Sequence, residues 1–275
     1  MAYWITRFGS TTLPARAQTQ DVGTGEARSG LVTLPDGSAF DARGTATTRV
    51  TPWELSVSGA IEAATAGDLL TAGSALYGLV GRSDYLYRTP DGGTANSQRL
   101  RARCLRVDVA RDVRHRLWAE PTLVFEVQDP VWSGTAEVTT TGTLTTGGTL
   151  TVSNAGNAPV WDPVFRIVAS GAAVTSLVLR QATEPYAAEL CFGTAYGTGT
   201  SGGTLPAGGT LIIDCGDYSV SNNGTDAYSR FELGTNHHID GWAQLMPSPS
   251  ATRWVVTFNG GANAIISCTY RSAYA

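Results

Sequence analysis

Turn-forming residues punctuate the second half of this chain again and again between short apolar runs, a pattern that leaves room for short strands and little else. The punctuation is Asn154-Ala-Gly-Asn157, Ser170-Gly171, a glycine-rich stretch at 197–203, Asn222-Asn-Gly224 and Asn259-Gly-Gly261. Between these turns, Phe165-Arg-Ile-Val168, Leu177-Val-Leu179, Leu211-Ile-Ile213 and Trp254-Val-Val-Thr-Phe258 read as core strands. The Thr/Gly-rich tract at 139–151 carries Leu144 and Leu150, followed by Val152, and reads as an ordered edge hairpin rather than a linker. Short strands in this pattern predict a β-sandwich.

The first half has a different texture. Ala2 to Phe8, Leu31-Val-Thr-Leu34, Ala39-Phe-Asp41 and the alternating Trp53, Leu55 and Val57 read as strands, with Pro35-Asp-Gly-Ser38 as a turn. One helix is expected, from about Asp68 to Val80, because Leu69, Leu76, Leu79 and Val80 fall on one stripe. Asp68 suits the positive N-terminal end of that helix, and Gly81 is a natural stop. Tyr85–Arg88 and Arg99–Val109 then flank Pro90-Asp-Gly-Gly93 as a long hairpin, and a further strand runs from Arg116 to Val127. The change of texture at Trp132 divides the chain into expected domains at 1–132 and 133–275, both mainly β.

Composition narrows the function. Charged residues make up only 15% of the chain, and the net charge of −4 gives no basic excess for nucleic-acid binding. All 19 basic residues are arginine. No charged-then-apolar leader opens the chain and no apolar run nears membrane-spanning length, so it is expected to be soluble, made without a signal peptide and not membrane-bound. Cys104, Cys191, Cys215 and Cys268 form no C-x-x-C pair and are expected to be buried thiols.

The motifs that carry chemistry are thin. Gly197-x-Gly199-x-x-Gly202 has dinucleotide-loop spacing, but Leu205-Pro-Ala-Gly-Gly209 follows and no helix can start there, so no cofactor is expected. Adjacent His237 and His238 point opposite ways if extended, so at most one could join Asp240 at a metal; a polar loop before Trp242 is the simpler reading. With only His115 besides, a Ser-His-Asp or Cys-His triad lacks material. Glu120 and Glu126 share a strand face about 20 Å apart, too far for a glycosidase pair, although Asp214 remains a distant partner. The chain is expected not to be an enzyme.

Two surface features remain. Arg99, Arg101 and Arg103 alternate on one strand face, followed by Arg106, Arg111, Arg114 and Arg116, with Asp108 and Asp112 interrupting. This is either a solvated face or a face for salt bridges between subunits. Trp161, Tyr186, Tyr196, Tyr218, Trp242 and Trp254 could stack on a pyranose, with Trp161, Tyr196 and Trp242 the preferred saccharide contacts; most such rings are core.

The order of these elements resembles the distal tail protein family of long-tailed, non-contractile bacteriophages. The matching pieces are the Thr/Gly strand running into Asn154-Ala-Gly-Asn157, Pro163-Val-Phe-Arg-Ile167, Gly209-Thr-Leu-Ile-Ile-Asp214 with Asn223-Gly224, and Trp254 followed by Gly261-Ala-Asn263. Phe125-Glu-Val-Gln-Asp-Pro-Val-Trp132 resembles the family's junction between its two domains. The family's Pro-Gly-x-Asn turn is replaced here by Gly260-Gly261. The resemblance implies a non-catalytic homo-hexamer at the tail tip of the virion, assembled in the host cytoplasm. Its first domains would ring a central channel, and its galectin-like sandwiches would project outward. The implied partners are the tail tube protein, the tail hub or tip protein and the tape-measure protein, with DNA passing through the channel unbound.

Overall fold

The computed structural model describes residues 3–14, 31–33, 39–41, 53–90, 95–111, 116–127, 131–182, 188–193, 203–234, 237, 242–247, 251–260 and 263–274. Mainly β throughout, the chain divides into two compact units, with a break between Thr135 and Ala136. The Pro35–Ser38 turn, the 197–202 glycine pattern, His115, His238, Asp240, Tyr186 and Tyr196 lie outside the described residues.

In chain order the first elements are β1 (Tyr3–Phe8), β2 (Thr11–Thr12), β3 (Leu31–Thr33), β4 (Ala39–Asp41), β5 (Trp53–Ser58), β6 (Ile61–Glu62), α1 (Ala66–Tyr77), β7 (Ser83–Pro90), β8 (Gln98–Arg111), β9 (Trp118–Val127) and β10 (Trp132–Gly134). Strands β3 and β4 pair with each other. The main sheet of this unit is antiparallel and runs β2-β1-β7-β8. The 14-residue β8 forks: its start pairs with β10, and Ala102 to Arg111 pair with β9, which in turn pairs with β5 and β6. Alternation builds the core. Ile5, Leu86, Leu100, Ala102, Cys104, Val57, Leu123 and Phe125 are all at most 1% exposed, and the Phe8 and Phe125 rings meet at 5.0 Å. Each such large apolar side chain contributes roughly 1.5–3 kcal/mol on burial.

Helix α1 begins two residues earlier than the stripe predicts, because Thr65 caps it. The Thr65 hydroxyl accepts from the Asp68 amide at 3.1 Å and donates to the Asp68 carboxylate at 2.7 Å. The helix ends at Tyr77, and Gly81 sits beyond it in the left-handed region at φ +82. Leu69, Gly73 and Leu76 face inward and Leu79 is buried, but Val80 is 48% exposed, because the chain has already left the helix. Thr65→Ala should cost about 1 kcal/mol of stability, read as a lower urea midpoint with an unchanged m-value.

The second unit is a sandwich. Its strands are β11 (Val138–Leu144), β12 (Thr149–Val152), β13 (Val164–Ser170), β14 (Val174–Gln181), β15 (Glu189–Gly193), β16 (Thr210–Asp214), β17 (Ser219–Asn222), β18 (Thr225–Asp226), β19 (Phe231–Leu233), β20 (Thr252–Gly260) and β21 (Asn263–Tyr270). One sheet runs β11-β21-β13-β16-β17-β18 and the other β12-β20-β14-β15-β19. Between them lie Phe165, Ile167, Leu177, Leu179, Leu211, Ile213, Trp254, Val256 and Ile266, all fully buried, with the Phe165 and Trp254 rings 4.8 Å apart.

The Thr/Gly tract is ordered and lies at the edges, as its pattern suggests, yet it is not a hairpin. Strand β11 pairs with β21 in one sheet and β12 pairs with β20 in the other. The Thr145–Gly148 turn therefore carries the chain from one sheet to the other. There Gly147, at φ +81, donates its amide to the Val256 carbonyl at 2.7 Å.

Candidate assembly surface

Outward-facing positions of β8 carry the arginines. Arg101 and Arg103 are exposed and Arg99 half-buried, while Gln98, Leu100, Ala102 and Cys104 point to the core. By strict alternation Arg106 would fall on the core face. A β-bulge at Leu105 prevents this: Cys104 opposes Phe125 and Arg106 opposes Val124, so one residue is extra. The alternation re-phases, Val107 becomes the buried residue, and Arg106 emerges on the exposed side. Its 2.8 Å ion pair with Asp108 is largely exposed and contributes little to stability.

Neighbouring strands complete the face. Tyr87 lies between Arg7 of β1 and Arg99 of β8, directly across from each. The Arg7 guanidinium stands 3.9 Å over the Tyr87 ring, and that of Arg99 stands 4.3 Å over Tyr85. Stacking fixes both planes and strips water from their inner edges, and the Nε of each is buried without a hydrogen-bond partner. On the other side of β8, Arg103 faces Glu126, and Glu126 faces Glu54 of β5.

The core side of the same sheet holds one more arginine. Arg88 is 0% exposed, its Nε donates to Gln98 Oε1 at 2.5 Å, and its guanidinium stacks 4.4 Å from the Trp132 ring. Trp132, where the sequence changes texture, is thus the lid on a buried cation.

In the sandwich, Trp254 is core at 0% exposure and Trp161 is half-buried. Trp242 is itself buried, at 7% exposure, under Phe231, Tyr218 and Tyr228 at 4.5, 5.5 and 5.8 Å. The rings presented to solvent there are Tyr228 and Tyr218, the latter held at φ +52, a backbone region that bulky residues rarely occupy. Arg7, Tyr85, Tyr87 and Glu54 are not singled out by the sequence pattern. The visible signal was the Tyr85/Tyr87 alternation against Leu86.

The described residues contain no cluster of three or more His, Cys, Asp or Glu side chains placed to hold a metal. His237 Nδ1 accepts from the Glu189 amide at 3.0 Å, a structural role. The four cysteines are free and buried. Burial first, then the nearby Glu189 and Glu232, push the Cys191 thiol from the ordinary 9.0 up to about 12, and burial raises Cys104, Cys215 and Cys268 as well. A thiol whose pKa is raised on folding supports the fold below its unfolded value, and that support is lost as pH climbs toward the folded value. Stability should therefore fall above pH 9.0 and keep falling to about 12 as Cys191 loses this support. Urea titrations at stepped alkaline pH check this, and Cys191→Ala should shallow the slope.

No family model matches the chain, and no curated protein matches it in sequence. Among solved structures it is similar to the SPP1 Dit (gp 19.1) protein, a paradigm of the hub adsorption apparatus in phages infecting Gram-positive bacteria. That match has 17% identity and a TM-score of 0.55, over 98% of this chain and 93% of the other. The two share their fold. A chain of the phage P2 baseplate in its activated conformation with calcium aligns over 100% of this chain and 99% of its own. At 8% identity and a TM-score of 0.37, that likeness carries no argument.

Proposed function

We propose that this chain is a non-catalytic structural component of a bacteriophage tail tip, a distal tail protein that forms a hexameric ring. Residues 1–132 are the ring-forming domain and 133–275 a galectin-like sandwich projecting outward. The ring joins the tail tube to the hub and host-recognition proteins, and its location is the virion of a long-tailed, non-contractile phage. The observation that carries the reading is the fold shared along nearly the whole chain with the SPP1 Dit protein. The arginine face, with Arg99, Arg101, Arg103 and Arg106 on one exposed side of β8, supports it as a surface built for a protein neighbour. Light scattering on the purified protein tests the reading: a species of six copies is expected, and a strict monomer at high concentration would sink it.

A second reading is favoured by the exposed Tyr218 and Tyr228 rings beside Trp242. In it the sandwich also contacts host-cell saccharide through the exposed Tyr218 and Tyr228 rings, with Trp242 packed beneath them. The full chain on a glycan array should then retain a subset of saccharides, and retention of none removes this role.

A further inference from the structure

Carboxylates flank the exposed aromatic patch of the sandwich. Tyr228 is 52% exposed and Tyr218 36%, and both rings pack on the same buried Trp242, which makes them one patch. Phe231 lies 4.5 Å from that indole on its own account, so the exposed rings rest on a packed aromatic base. Tyr218 is held there at φ +52, a strained conformation for a bulky residue, and its ring still faces solvent rather than filling the core.

The charge around these rings is mostly of one sign. From Thr210 to Gly234 the chain carries Asp214, Asp217, Asp226 and Glu232 against a single arginine, Arg230. Asp217 is exposed and directly precedes Tyr218. Asp226, exposed as well, accepts from the Tyr228 amide through Oδ1 at 3.0 Å, which holds its carboxylate beside the second ring. Asp214 Oδ1 accepts from the Gly216 and Asp217 amides at 2.9 and 3.1 Å. Among the described residues no arginine forms an ion pair with Asp214, Asp217 or Asp226. Exposed rings and uncompensated carboxylates together suit a ligand with an apolar face to stack and a positive charge to place.

We infer that the saccharide taken by this patch is an amino sugar with a free ammonium group. Its C–H face stacks on the Tyr218 and Tyr228 rings, and its ammonium is set against Asp217 and Asp226. A neutral sugar gains nothing from those carboxylates, and an anionic one is repelled by them. An ammonium group also draws on the negative face of a tyrosine ring, an attraction that a neutral sugar lacks. The inference rests on the saccharide reading above and adds to it the charge of the ligand.

Two oligosaccharides matched in ring geometry but not in charge test it: a glucosamine oligomer, cationic in mildly acidic buffer, and its neutral N-acetylated counterpart. Calorimetric titration of the full chain should show the cationic oligomer binding roughly tenfold tighter at low salt, with the gap closing at high salt as the charges are screened. Asp217→Asn/Asp226→Asn should bring the cationic oligomer down to the affinity of the neutral one. Asparagine keeps the Oδ1 acceptor for the Tyr228 amide, so the turn is preserved. Tyr228→Ala should weaken both oligomers, and full affinity in that variant overturns the inference. Equal affinity of the wild-type chain for the two oligomers, or no response to the asparagine variant, overturns it and leaves the saccharide reading standing. Oligolysine binding as tightly as the glucosamine oligomer overturns it too, because charge alone would then suffice. Binding of neither oligomer, and of no other saccharide, removes the saccharide reading and the inference with it.

Discussion

Arg88→Ala is expected to lower the stability of the first unit by about 3–5 kcal/mol, much of what a typical domain possesses. The side chain is 0% exposed, so its loss opens a cavity beneath Trp132 and leaves Gln98 Oε1, 6% exposed at the residue level, without its 2.5 Å donor. Two mechanisms add, and a paired series separates them. Arg88→Met keeps most of the volume and removes the donor, so it should cost about 1–3 kcal/mol. Adding Gln98→Leu removes the orphaned acceptor as well and should recover much of that loss. Native-state hydrogen exchange would localise the effect to the β7 and β8 amides. If Arg88→Ala melted within a degree of wild type, the buried cation would have no structural role.

Gly156→Ala is expected to be nearly as damaging, for a steric reason. A Cβ at this position would lie 1.7 Å from the Ala273 carbonyl oxygen and 2.6 Å from its carbon, both backbone atoms that cannot swing aside. That carbonyl accepts from the Ala158 amide at 3.1 Å. The buried Asn154 ties the same corner: its Oδ1 accepts from Gly156 at 2.9 Å and from Ala273 at 3.4 Å, and its Nδ2 donates to the Ala158 carbonyl at 2.7 Å. One methyl group therefore opposes four hydrogen bonds, and a loss of about 3 kcal/mol is expected. Gly67→Ala is the control of opposite sign. Its Cβ would meet only Thr65 Oγ1 at 3.7 Å within a helix, so stability should be unchanged or rise by up to about 1 kcal/mol. Urea midpoints of the two variants should move apart.

The strands were legible because alternation and turn residues are local signals, and each of the four core strands named from Phe165 to Trp254 is one. Sheet membership was less so. Residues 139–151 look like a hairpin to any local reading, and only the long-range pairing of β11 with β21 and β12 with β20 shows a sheet-to-sheet crossing. The bulge at Leu105 leaves no compositional trace, so residue parity alone would have placed Arg106 with the core. Arg88 defeats the usual expectation that a strand arginine faces water, because its partners Gln98 and Trp132 lie 10 and 44 positions on in the chain. The arginines of β8 were visible as a cluster; Glu54 and Arg7 join them only once register places them in the same rows. Register depends on the whole sheet, which is why half of this charged face was hidden in the sequence.

A ring with the first units inside is the account's central claim, and averaged electron micrographs of the purified particle test it most directly. The expected view down the axis is six-fold, with a central channel lined by the first units and the sandwiches at the rim. Antibody fragments against the sandwich should decorate only that rim. Isolated single copies, or a closed ring with sandwiches lining the channel, would contradict the account.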